Sequence, residues 1–294
     1  MLKSLLVGDN AFIGVSHLSN ERARQRLQQL SFEAIVEVIG EAMAHGATGF
    51  SFSTHPTNFT ILRALSDRGI LGPAIEIYPI LPYAAGYVRT LNEKGPSGLI
   101  SEITSRLSLS DKAKFLYKSG ASAVSLDPAK MFGAYVDMEL TAILGLARSN
   151  LRAVFLHEII TDLGVSLQAA HLVDYYMRHV RDEYHVKPGF VTRNLVRFVK
   201  FFEDFGLSLK DTVIMTPVNR AGFQMNPSKE SCELCLSHIQ DSDVIAMSIL
   251  AGGYLTLDEA VEYLRSLPNL SGIVVGVSSK EHAEKTFTRL RTLI

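Results

Sequence analysis

The sequence predicts a single α/β domain spanning residues 1–294, a (β/α)8 barrel of parallel strands. Three observations lead there. Eight short apolar runs alternate with longer helical patterns along the 294 residues. Hydrophobic residues make up 47% of the chain and charged residues only 20%, with a mean hydropathy of +0.16. That charged share is below the ~25% of an average domain and suits strands covered on both faces by helices. Right-handed crossovers then leave few topologies, a closed barrel first and an open doubly wound sheet second.

The expected strands are Leu5-Leu6-Val7, Gly49 to Ser53, Ala74 to Ile80, Ser122 to Leu126, Leu151 to Leu156, Thr212 to Met215, Val244 to Ile249 and Gly272 to Val277. Gly46, Gly72-Pro73, Gly120 and Gly206 precede four of them, where glycine ends a helix in a left-handed cap. Ser31 caps a helix from Phe32, Thr57 or Asn58 opens one through Leu65, and Ser110-Asp111 opens Lys112 to Lys118. Met138 to Arg148 follows the fourth run, Ser166 opens a long helix toward His179, and Thr192 to Phe205 precedes the sixth. Ser228, Thr256 and Ser279 or Lys280 open the last three helices, Thr256 with Glu259 at the capping-box position. Two longer connections remain. Tyr83 to Ile100 follows the third strand and is long enough for a lid, and Asp182 to Phe190 reads as a loop between two helices.

Net charge is -1 with no basic block, which removes the electrostatic footprint of a nucleic-acid binder. No run approaches the ~18 apolar residues of a membrane span, and Met1 to Phe12 is too short for a signal peptide. With two cysteines, Cys232 and Cys235, no disulfide framework is expected, and the cytoplasm is the expected compartment. Cys232-x-x-Cys235-x-x-His238 has no second ligand pair and reads as a packed helix face.

In a barrel of this kind chemistry sits where the strands end, at their C-terminal side. The seventh and eighth ends carry the clearest signal. Gly252-Gly253 and Gly276-Val277-Ser278-Ser279 offer bare backbone N–H groups and a helix N-terminus, which together suit a phosphate. Ser248, Ser278, Ser279 and Lys280 flank them. His157-Glu158 closes an otherwise apolar strand, Glu76 lies within another, and Asp127 ends a third; these four are the candidate acid/base groups. Only one of His157 and Glu158 can face the mouth directly. Lys130 is a possible imine-forming amine near Asp127. Asn10, His17, His55, Asn219 and Arg220 are candidate substrate contacts. No H-x-H or H-E-x-x-H spacing is present, so no metal is expected.

The stretch Ile245 to Gly253, then Leu257 to Leu264, then Gly276-Val277-Ser278-Ser279-Lys280-Glu281-His282 resembles the C-terminal part of the aldo/keto reductase superfamily. The resemblance covers roughly the last 55 residues. It implies NADPH, with Ser248, Ser278, Ser279 and Lys280 at its phosphate end. It also implies an Asp and a Tyr after strand two, a Lys ending strand three and a His ending strand four. Here the second strand ends Ser51-Phe52-Ser53-Thr54-His55 and the third Tyr78-Pro79-Ile80, with none of the first three, and the fourth expected strand ends in Asp127. The expected activity is therefore reductase-like with a non-standard site. The alternatives are a lyase, aldolase or hydrolase acting on a phosphorylated metabolite, with or without a metal, or a barrel that only binds its ligand.

Overall fold

The computed structural model describes residues 2–13, 31–82 and 128–294, apart from the side chain of Met131. Within them eight parallel strands close into a barrel, in chain order, making a (β/α)8 or TIM barrel. They are β1 (Ser4–Gly8), β2 (Gly49–Ser53), β3 (Glu76–Leu81), β4 (Ala153–Leu156), β5 (Lys187–Val191), β6 (Thr212–Pro217), β7 (Ser242–Met247) and β8 (Gly272–Gly276). The helices described are α1 (Phe32–Ala44), α2 (Pro56–Asp67), α3 (Pro128–Ala147), α4 (Glu158–Ser166), α5 (Ala170–His179), α6 (Leu195–Asp204), α7 (Lys229–His238), α8 (Leu257–Arg265) and α9 (Lys280–Leu290). None is long and apolar enough to cross a membrane.

The fold matches the sequence expectation, but the strands are counted differently. β3 pairs directly with β4, Ile80 against Phe155 and Leu81 against Leu156. The run expected as the fifth strand is thus the fourth, and Ser122 to Leu126 lies outside the described residues, as do Tyr83 to Ile100 and Lys112 to Lys118. The true fifth strand is Lys187-Pro188-Gly189-Phe190-Val191, all but its last residue within the stretch read as a loop. Its Pro-Gly pair looks like a turn because proline lacks an N–H and glycine weakens strands. The barrel needs that glycine. A Cβ on Gly189 would lie 2.6 Å from the Phe155 ring, which fills the lumen beside it. Ser166 is a second correction: it ends α4 rather than opening a helix, and Leu167 to Ala169 turn the chain before α5 begins.

Side chains sort by the two-residue period of a strand. Leu6, Tyr78, Ala153, Phe155, Val191, Val213, Met215 and Ile245 form a cluster drawn from strands alone, the barrel lumen. Their neighbours Leu5, Val7, Phe50, Phe52, Val154, Leu156, Phe190 and Ile214 pack outward with the helices. The N-terminal end of the lumen is polar. Glu76 Oε1 takes the Arg152 guanidinium at 3.2 Å, while Tyr78 and Ser4 hydroxyls donate to Oε2. Asp243 pairs there with Lys187 at 2.6 Å. This corrects the reading of Glu76 as a candidate acid: it opens β3 at the end opposite the mouth, where it pairs and braces the barrel.

Candidate functional site

The same period extended one step past the strands decides what faces the mouth. His157 follows Ala153 and Phe155 on the inward register of β4, Arg193 follows Gly189 and Val191 on β5, and Ser51 and Ser53 share the inward face of β2. All four line a cavity of about 540 Å³ at the C-terminal ends of the strands. His157, not Glu158, is therefore the residue the strand itself aims inward. Glu158 reaches the same cavity from the first turn of α4.

His157 is the N-cap of α4, its Nδ1 accepting the Ile159 N–H at 3.2 Å. That bond assigns Nδ1 as acceptor and leaves Nε2 to carry the proton of a neutral ring. Burial pushes the ring's pKa below its ordinary value, against the pull of the Glu158 carboxylate, and Arg193 adds to the lowering. His157 is thus a neutral N–H donor at physiological pH. Beside it Glu158 and Arg193 form a fork, Oε1 to Nη2 at 2.5 Å and Oε2 to Nε at 3.0 Å. The arginine is held from behind. Asp162 on α4 accepts from the Thr192 hydroxyl at 2.5 Å and the Asn194 amide at 3.2 Å, fixing the turn that follows β5.

Across the mouth, Asp9 ends β1 as a buried carboxylate lining the cavity. Its Oδ2 accepts from the Ser53 N–H at 2.9 Å, the Ser53 hydroxyl at 2.8 Å and the Asn58 amide at 2.7 Å. Burial raises its pKa despite these bonds, which work the other way. Behind this group Glu139 on α3 is 5% exposed, and among the described residues its Oε2 has no hydrogen-bond partner. Burial pushes the Glu139 carboxyl up to about 7, opposed by a hydrogen bond with Thr54. The folded protein then holds a proton that the unfolded chain releases near the ordinary 4.5, so this group's contribution falls as pH rises from about 4.5 through 7. Glu139→Gln is expected to remove that slope and to be more stable than the parent at pH 8 by roughly 1–3 kcal/mol, with little gain at pH 5. Urea midpoints of both proteins at the two pH values check it.

The third wall is backbone. Gly252 and Gly253 have φ of +71° and +99°, conformations that favour glycine, and both line the cavity with Ser248. Gly276 lines it too, and an added Cβ there would meet nothing within 4 Å, so the ligand space extends over the bare backbone. Ser278 and His282 complete this end, at the N-terminus of α9. Ser279 caps that helix, its Oγ accepting the His282 N–H at 3.1 Å.

Other expected contacts lie elsewhere. The Lys280 ammonium turns to Glu37 on α1, 2.7 Å away, rather than into the cavity. Asn219 is buried and folds onto its own loop, bonding both the N–H and the carbonyl of Phe223 at 2.8 and 2.9 Å. Arg220 is exposed and His55 caps α2 through Nδ1; neither lines the cavity. Lys130 is exposed in the first turn of α3 and is likewise absent from the wall, so the imine reading has no support there. Asn10 does line it. His17 and Asp127 lie outside the described residues. The one His/Asp/Glu group close enough to hold a metal among the described residues, Glu41, His45 and Glu284, is on α1 and α9, not at the mouth. Cys232 is buried and Cys235 half-buried, and burial pushes both thiols up to about 11, inert as the packed-face reading expects. Sequence reasoning missed Arg193, Gln224 and His282 as wall residues. Arg193 follows the unrecognised β5, and counting that strand would have revealed it.

No protein-family model and no curated protein matches this chain. Solved structures do. Two structures of a Pseudomonas aeruginosa protein provisionally named an aldo-keto reductase superpose with a TM-score of 0.59 at 12% identity, covering 100% and 99% of this chain and 91% of theirs. An aldo/keto reductase from Brucella melitensis gives a TM-score of 0.49 at 15% identity, covering 88% of this chain and 83% of that one. At such identities the likeness shows the barrel. The revised strand count bears on the resemblance noted above: strand four now ends in His157, where that superfamily is expected to carry a histidine. β2 and β3 still end without the Asp, Tyr and Lys.

Proposed function

We propose that this protein is an enzyme that holds a phosphate-bearing ligand, NADPH foremost, over the loops after β7 and β8 and presents a carbonyl substrate to His157. One observation carries the reading. A single cavity joins a wall of bare backbone and a helix N-terminus to a neutral histidine flanked by a fixed Glu158–Arg193 fork. The residues present fit a phosphate: Gly276 leaves room for close approach, Gly252 and Gly253 line the same wall, and Ser278 and His282 supply polar groups. The structural likeness to reductases and the position of His157 favour the nicotinamide cofactor over other phosphate ligands. When bound, that cofactor supplies a hydride. The chain's own part is electrostatic. The Nε2–H of His157 donates to the carbonyl oxygen, where negative charge develops, and solvent at the mouth supplies the proton that completes the alcohol. Its neutrality matters, because Arg193 beside it already carries the positive charge that Glu158 balances.

The test is a fluorescence titration with NADPH, repeated with Ser279→Asp and with inorganic phosphate as competitor. Aspartate caps a helix as well as serine does, so α9 stays formed while a negative charge is added at its N-terminus, next to the cavity-lining Ser278. Saturable micromolar binding, weakened at least tenfold in the variant and displaced by phosphate, is the expected result. Absence of binding at millimolar NADPH would reject the cofactor and leave a phosphorylated metabolite as the ligand, in line with the lyase, aldolase or hydrolase alternative.

A further inference from the structure

The loop after β6 is tightly built. The Asn219 side chain clamps Phe223, the Met225 N–H bonds the Gly222 carbonyl at 3.2 Å, and the Asn226 amide reaches the Arg193 carbonyl at 3.3 Å. Between these anchors Gln224 adopts φ +61°, the left-handed region that glycine or asparagine occupies more cheaply. Gln224 lines the cavity, and among the described residues its buried Oε1 has no hydrogen-bond partner. Two costs therefore meet in one residue, a strained backbone and an unsatisfied acceptor, and the described residues offset neither. A turn alone would need neither a long side chain nor a polar one.

From this we infer that Gln224 is a ligand-reading residue, its Oε1 accepting a hydrogen bond from a hydroxyl or amide N–H on the organic part of the ligand. The inference rests on the phosphate-ligand reading of the same cavity. The chemistry selects the part of the ligand that Gln224 meets. An amide oxygen is an acceptor, as phosphate oxygens are, so the two repel; the oxygen pairs instead with a donor, such as a sugar hydroxyl or a carboxamide. Position agrees. Gln224 follows β6, which stands between β7, leading to Ser248 and Gly252, and β5, leading to Arg193, and all four residues line the one cavity. A ligand reaching from the phosphate wall toward His157 passes it.

The experiment uses Gln224→Met, similar in size but without the acceptor, and Gln224→Gly, which also relieves the backbone. Dissociation constants are measured by calorimetry for NADPH, ribose 5-phosphate and inorganic phosphate, together with the melting temperature of each ligand-free protein. The expected result is about tenfold weaker binding of the hydroxyl-bearing probes in both variants. Inorganic phosphate should stay within about twofold, and the ligand-free melting temperatures should be unchanged or raised. If ribose 5-phosphate binds and shows the loss while NADPH does not bind, the cofactor assignment fails and the role of Gln224 stands. Equal losses for all three probes, no loss for the hydroxyl-bearing ones, or a lower ligand-free melting temperature in both variants would overturn it. Failure of every probe to bind the parent would overturn it along with the phosphate reading.

Discussion

Asp9→Ala is expected to lower stability by about 3 kcal/mol, which for a chain of this size is a fall of roughly 5 °C in melting temperature. Truncation removes an oxygen that serves three donors at once, the Ser53 N–H, the Ser53 hydroxyl and one N–H of Asn58. The hydroxyl can rotate elsewhere, and Asn58 keeps its bond to the Ser53 carbonyl at 2.9 Å. The backbone N–H of Ser53 cannot move, and it is left dry. Burial already raises the cost of Asp9's own charge, so the net loss is less than three separate bonds would suggest. Asp9→Asn keeps an acceptor in place and should cost about 1 kcal/mol or less. Thermal unfolding of both variants separates the two outcomes. A fall as large with asparagine as with alanine would mean that the charge, not the acceptor, holds β1 to β2.

Gly49→Ala is expected to be at least as damaging, about 3 kcal/mol or more, or to yield insoluble protein. A Cβ there would sit 2.4 Å from the Glu76 carbonyl oxygen and 3.0 Å from a Leu6 methyl. Gly49 and Glu76 are register partners on β2 and β3, so the clash is with backbone that has no rotamer to yield. Relief means shifting β2 along or away from β3, and a one-residue slip would turn Ser51 and Ser53 from the cavity and bring Phe52 in. Gly276→Ala is the matched control, since a Cβ there meets nothing within 4 Å. Urea denaturation of the two alanine variants side by side checks the contrast.

How much of this was legible follows from which signals are local. Strand–helix alternation and apolar runs are local, and they predicted the closed barrel. The ends of β7 and β8 were legible because glycines and helix caps announce themselves by residue type. β5 was not, because Pro188-Gly189 reads as a turn until the Phe155 ring beside it is seen. That miss shifted the strand count, hid Arg193 and left His157 one strand late. Glu76 misled for a different reason. A charge in an apolar strand signals a partner, but the sequence does not say at which end of the barrel the partner waits, and here it is Arg152 at the closed end. Lys280 likewise has the right neighbours in sequence and the wrong direction in space, because Glu37 on an adjacent helix competes for it.

The seam between β1 and β8 has a consequence in time as well as in space. Ser4 pairs with Gly272 and Gly8 with Gly276, so the first strand made is zipped to the last. At ribosomal rates the two are separated by an interval on the order of tens of seconds. Throughout it, one edge of β1 has no partner and stands open to misassociation. Gly8, Val274 and Gly276 all line the cavity, so the ligand floor is laid across that seam. No nascent or truncated chain lacking β8 can own the site. A ligand that grips both strands then acts as a late clasp, rewarding only chains that have been finished.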